Sequence, residues 1–254
     1  MNSELHDDMF SPEVTIDPYS YFGKLRDIDP VHWNNKYETW VVTNYEDISH
    51  IMRNPDLFSS AFWKDDPRGP FPPIQPDDKA HYSFVTGIIS KWVTQVDPPN
   101  HTRIRQAIQP YFTSNAVERW RPRVNEVIKQ LLENVEGSNH MDAMEDFARP
   151  LPVLIISSFM GISTRDATTV PKLANSLTMM FQTEKTRMKG LAQGMNDLVN
   201  EMEKEIRKRE FSPTDDLLSI MVRAYQEHIY SREELVANAI FILFAGHETT
   251  INLI

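Results

Sequence analysis

Cysteine is absent from the 254 residues, which excludes disulfides, thiolate metal sites and cysteine nucleophiles from any chemistry this chain performs alone. Basic charge is in deficit: 26 Lys and Arg stand against 36 Asp and Glu, for a net charge of −10. Binding nucleic acid needs the opposite balance, because phosphates are neutralised by a surplus of cations, so no nucleic-acid partner is expected. Long apolar runs are missing too. The longest, near Leu151–Met160 and Ala237–Ala245, fall far short of the roughly 18 residues a membrane span requires. The first residues, MNSELHDDMF, are acidic and lack the basic-then-apolar order of a secretion signal. A cytoplasmic protein without membrane contact is therefore expected. What is present, 41% hydrophobic and 24% charged residues, is an ordinary globular composition with no internal repeat.

Periodicity then divides the chain. From Asp17 to Asp29 the order Tyr19, Tyr21, Phe22, Leu25, Ile28 predicts a short helix with an apolar stripe, started by Pro18. Val31–Trp33 and Trp40–Thr43, separated by Asn34-Asn35-Lys36, predict a β-hairpin. A helix through Ile48, Ile51 and Met52 should stop at Pro55. Residues 58–96 read as a long aromatic and proline-rich loop, since six prolines and glycines between Pro67 and Pro76 break regular structure. After Asp97 the pattern is almost wholly helical. Asp97-Pro98-Pro99 reads as a helix start, Asn115 with Glu118 as a capping box, and Ser163 with Asp166 as another opening. Val170–Phe181 and Gly190–Arg209 carry amphipathic spacing with clustered methionines. Ser231-Arg232-Glu233-Glu234 is a capping box that opens a helix apolar on nearly every face, which must be central.

Two constellations carry chemistry. His101 and Arg105 lie four apart and project from one helix face, where two cations repel unless an anion lies between them. They read as an anion clamp, with a solvated basic patch including Arg103 as the alternative. The second is Ala245-Gly246-His247-Glu248-Thr249-Thr250, where an apolar helix abruptly meets a glycine, a carboxylate and two hydroxyls. Burying these without partners costs several kcal/mol. Gly246 leaves room for a flat ligand or a widened backbone, and threonine hydroxyls can draw a bond from the preceding turn. His247-Glu248 also begins a zinc-hydrolase motif, but the second histidine would be residue 251, which is Ile251. No metal site follows.

In order along the chain, DPYSYFGKLRDIDPVHW, DPPNHTRIRQAIQPYFTSNAVE, FARPLPVLIISSFMGI, DDLLSIMV and ILFAGHETT resemble the N-terminal portion of a soluble bacterial-type cytochrome P450, a haem-thiolate monooxygenase. The resemblance implies a mainly α-helical fold with a small N-terminal β-sheet, one domain across 1–254 that is incomplete here, with residues 231–254 beginning its central helix. It implies haem b as cofactor, with His101 and Arg105 on a propionate and Phe112, Ala245 and Gly246 also beside the haem. Glu248 and Thr249 would be the proton-delivery pair for oxygen activation. Ile88, Ile89, Met179, Met180, Phe181, Phe241 and Phe244 would wall a pocket for a small, largely apolar organic substrate. Dioxygen and a ferredoxin- or flavodoxin-type electron donor would be the other partners, the donor approaching a basic surface that includes Arg103.

The family's iron-ligating cysteine and its Glu-x-x-Arg helix lie in a later segment that this sequence lacks. About a third of the domain is expected to be missing. The rival expectation is a non-catalytic helical interaction module that keeps the helices and binds no haem.

Overall fold

Prolines and small polar caps mark many of the helix starts in the computed structural model, which describes residues 6–61, 78–138, 140–163 and 187–254, apart from the side chains of Arg187 and Glu248. The chain divides into two compact units, Met1–Ser59 and Ser60–Ile254.

In the first unit, Ser11 caps α1 (Pro12–Ile16) and Asp17 caps α2 (Pro18–Ile28), each through a side-chain oxygen that accepts a backbone N–H of the first turn, with proline at the first helical position. The expected hairpin is present as β1 (Val31–Asn34) and β2 (Thr39–Val42), antiparallel, with Trp33 opposite Trp40. Asn34 closes its turn by accepting the Tyr37 N–H at 3.0 Å. α3 (Tyr45–Arg53) follows and stops before Pro55, as expected. The apolar stripe of α2 is narrower than its sequence suggests. Tyr21 and Leu25 are buried with Val14, while Tyr19 and Ile28 are exposed. One more interaction pins this unit: His32 places Nδ1 2.9 Å from Asp29 and Nε2 3.0 Å from Asp7, joining the N-terminal segment to the hairpin.

The second unit is helical. Its described elements include α4 (Lys79–Ile89), α5 (Asn100–Ile108), α6 (Ser114–Glu118), α7 (Arg121–Val135), a π-helical segment Ala143–Ala148, α8 (Pro150–Phe159), α9 (Arg187–Phe211), α10 (Leu217–Gln226) and α11 (Arg232–Ile251). Helix α4 corrects the reading of 58–96 as one loop. The prolines all fall before it, within residues outside the described set, and Tyr82, Val85 and Ile89 recur at helical spacing and are buried. Two caps are also corrected. Thr113, not Asn115, caps α6, and Glu118 pairs instead with Arg121 at 2.5 Å. Asp97 does not cap α5; its carboxylate accepts the Ser60 N–H at 2.8 Å. The helices expected from Ser163-Asp166 and over Val170–Phe181 lie outside the described residues.

α11 is central, as its pattern requires. Leu235, Val236, Ala237, Ala239, Ile240, Ile242 and Leu243 are all buried, and the helix packs against α8, α9, α10 and α4. Its capping box forms as read, with Glu234 accepting the Ser231 N–H at 2.8 Å and Ser231 accepting the Glu234 N–H at 3.2 Å. A buried cation fixes the corner where α8 ends and α10 begins. Arg209 donates to both carboxylate oxygens of Asp216 at 3.0 Å, to Glu205 at 2.8 Å, and to the carbonyls of Met160 and Gly161 at 3.2 and 2.7 Å. Gly161 has φ +69°, and a Cβ there would collide with the Asp216 carboxylate.

Candidate functional site

Helix α5 presents His101 and Arg105 one turn apart, as the i, i+4 spacing requires. His101 is half-buried and Arg105 exposed, and among the described residues neither side chain makes a hydrogen bond or ion pair. Arg103, between them, behaves differently. It forks onto Glu234 with bonds of 3.1 and 2.5 Å and also donates to the Ile229 carbonyl. Burial works to raise the Glu234 carboxyl, but the guanidinium and the Ser231 N–H outweigh it and hold the group below the usual carboxylate range. Arg103 is therefore a tether between α5 and the start of α11, which corrects its reading as part of an open basic surface.

Further tethers tie α11 and the residues just before it to α5 and to the segment ahead of it. The Tyr230 hydroxyl donates to the Ile104 carbonyl at 2.8 Å in a buried position. Asn238, fully buried, accepts the Val93 N–H at 2.7 Å and donates to the Lys91 carbonyl at 2.9 Å. The backbone on both sides of Trp92 is held in this way, and the indole packs against Phe241 and Phe244 with ring centroids 5.2 Å apart in each case. Neither Asn238 nor Trp92 was singled out by sequence reasoning. A lone amide inside the run from Leu235 to Phe244 was the available signal, since a buried polar group must find partners.

Further along α11, Thr249 donates to the Ala245 carbonyl at 2.8 Å and Thr250 to the Gly246 carbonyl at 3.3 Å. The hydroxyls do bond back to the preceding turn. Ala245 is half-buried and Thr249 exposed, one turn apart on the same side, while His247 is buried. Gly246 has a packing reason within the fold: a Cβ there would stand 2.9 Å from Ile156 Cδ1, so the missing side chain makes room for α8. The Glu248 side chain, and Met179, Met180 and Phe181, lie outside the described residues. Of the other wall residues, Ile89 is buried in the main core, and Ile88, Phe241 and Phe244 are half-buried against it. Phe112 is nearly half exposed beyond α5, its ring 5.4 Å from that of Phe159. Among the described residues no three His, Asp or Glu side chains gather as a metal site, and no helix is long and apolar enough to cross a membrane.

Fold and site define an α-helical protein with two basic side chains on one helix that have no partner among the described residues, and a hydroxyl-bearing turn on the buried helix beside it. No protein-family model matches the chain. Curated relatives do: a cytochrome P450, CYP107DY1, of Priestia megaterium is 29% identical over 98% of this chain and 62% of its own length. The 6-deoxyerythronolide B hydroxylase of Saccharopolyspora erythraea is 28% identical over 97% of this chain and 61% of its own. Among solved structures, CYP109E1 of Bacillus megaterium in complex with testosterone is 26% identical, with a TM-score of 0.75 over 96% of this chain and 60% of its own. The chain has the cytochrome P450 fold, mainly helical with its small antiparallel hairpin, and is a relative of the bacterial cytochrome P450s. It spans about three fifths of the length of the curated relatives it matches.

Proposed function

We propose that this chain carries the haem-carboxylate clamp and the oxygen-side helix of a P450 monooxygenase, which inserts one oxygen atom from dioxygen into a small, largely apolar organic substrate. One observation carries the reading: of three basic side chains on α5, the fold pairs Arg103 and leaves His101 and Arg105 without a protein partner among the described residues. Two adjacent unpaired donors suit a carboxylate, which each would bind by a charge-assisted hydrogen bond. The haem b that fits this donor set would supply the redox chemistry at its iron, through a thiolate that these 254 residues do not contain.

The chain's own residues have separate tasks. His101 and Arg105 orient the cofactor's carboxylate edge. Thr249 holds a hydroxyl proton at Oγ1 one turn from Ala245, and Glu248, the acid beside it, passes protons toward that hydroxyl. Ile88, Phe241 and Phe244 line an apolar substrate wall that keeps water away from the reacting side. Electrons come from a ferredoxin- or flavodoxin-type partner in the cytoplasm.

The test is an absorption titration of the chain with haemin and with haemin dimethyl ester, whose carboxylates are blocked. Preference for the free acid, lost when His101 and Arg105 are both replaced by leucine, is the expected result. Equal affinity for acid and ester, or no binding of either, would sink the clamp and favour a helical module without haem.

A further inference from the structure

Helix α5 carries three basic side chains within five positions, and Arg103 lies about 200° around the axis from His101. Its partner Glu234 sits in the first turn of α11 and is itself fixed by the Ser231 capping box. A guanidinium that meets a carboxylate through two parallel N–H groups fixes direction as well as distance, which a single ammonium does not. The Ile229 carbonyl gives the fork another contact, and the buried Tyr230–Ile104 bond fixes α5 at a neighbouring point along its backbone. Two anchored points on one short helix leave it little freedom to roll.

We propose that Arg103 is a positioning residue: by locking α5 to the first turn of α11 through Glu234, it holds His101 and Arg105 in the one direction from which both reach the same carboxylate. This assignment deepens, and rests on, the haem reading above. It places Arg103 outside any contact with the cofactor and gives Glu234 two tasks, capping α11 and setting the roll of α5.

Two substitutions separate these tasks. Glu234→Gln keeps a side chain competent for the capping box but removes the charge that Arg103 grips. Arg103→Lys keeps the positive charge but loses the fork. The His101 ring protons of the full chain, followed by NMR without haemin, report the direction of the clamp, and the haemin titration reports its use. Both variants are expected to keep helical circular dichroism while shifting the His101 ring signals and lowering haemin affinity. The loss should be roughly ten- to a hundred-fold, by analogy with the range seen when a partner that orients a metal-ligating side chain is removed.

Unchanged His101 signals in both variants would overturn the proposal, as would unaltered haemin affinity in variants whose signals do move. If the parent chain binds no haemin, the haem reading fails by itself; shifted His101 signals then still support the Arg103 lock, and unshifted ones refute it.

Discussion

Arg209 and Arg105 are the same side chain under opposite conditions. Arg209 is buried where α8 ends and α10 begins, and protein oxygens from Asp216, Glu205, Met160 and Gly161 receive all three of its nitrogens. Burial works against the charge on Asp216, yet Arg209, Thr214 and the Ser219 N–H outweigh it and keep that carboxyl below its ordinary range. Arg105 has no such partners among the described residues and lies exposed one turn from His101. A cation that holds the fold together is surrounded by the fold's own acceptors; one left in the open beside a second cation is available to something else. Arg103, satisfied by Glu234, belongs with Arg209 although it shares a helix with Arg105.

The largest expected effect comes from breaking the satisfied side of this contrast. Arg209→Met leaves Asp216 buried without its counter-charge and Glu205 with Lys208 as its remaining cationic partner, and urea unfolding should show a loss of about 3–5 kcal/mol, the usual cost of removing one partner from a buried pair. A loss below about 1 kcal/mol, the scale of exposed pairs, would mean that the corner is not sealed from water.

A smaller effect asks whether the space at Gly246 also belongs to the fold. Gly246→Ala should cost about 1 kcal/mol, because crowding against Ile156 outweighs the gain in helix propensity. In an Ile156→Ala background the two nearest atoms, Cδ1 and Cγ1, are gone and the same change should be close to neutral. A cost indifferent to residue 156 would mean that something other than α8 occupies that space.

The smallest expected stability change concerns His32. Hydrogen bonds to Asp29 and then Asp7 raise its pKa above the ordinary 6.5, against a lesser opposing effect of burial. Because the folded value is the higher one, the stabilisation is complete below about 6.5 and is lost as pH rises through the folded pKa. Unfolding free energies measured from about pH 6 to about pH 9 should fall in the parent, and His32→Gln should flatten that slope. An unaltered slope would assign the pH dependence to another group.

Local signals were legible where the partner lies nearby in sequence. The Ser231–Glu234 capping box, the hairpin around Asn34 and the helix over Pro18–Ile28 could all be read because their chemistry closes within a few residues. Helix α4 was hidden by the prolines before it, which carry a turn signal stronger than eleven residues of periodicity. The site divides in the same way. Spacing alone puts His101 and Arg105 on one face, and Thr249 back on the Ala245 carbonyl. Nothing local says that Arg103 meets a glutamate 131 positions later, that Asn238 holds the backbone on both sides of Trp92, or that Ile156 fills the space at Gly246. Those outcomes depend on which helices pack together, information that no single segment contains.

The most direct test pairs two measurements on one variant, Arg105→Ala: unfolding free energy in urea and relative affinity for haemin and its dimethyl ester. The account predicts stability within about 0.5 kcal/mol of the parent, as for an exposed side chain with no partner. Haemin affinity should fall about tenfold or more, the equivalent of one charge-assisted bond, and discrimination against the ester should shrink with it. A clear loss of stability with the preference for free haemin intact would contradict it, and would place Arg105 with Arg209 among the cations that serve the fold.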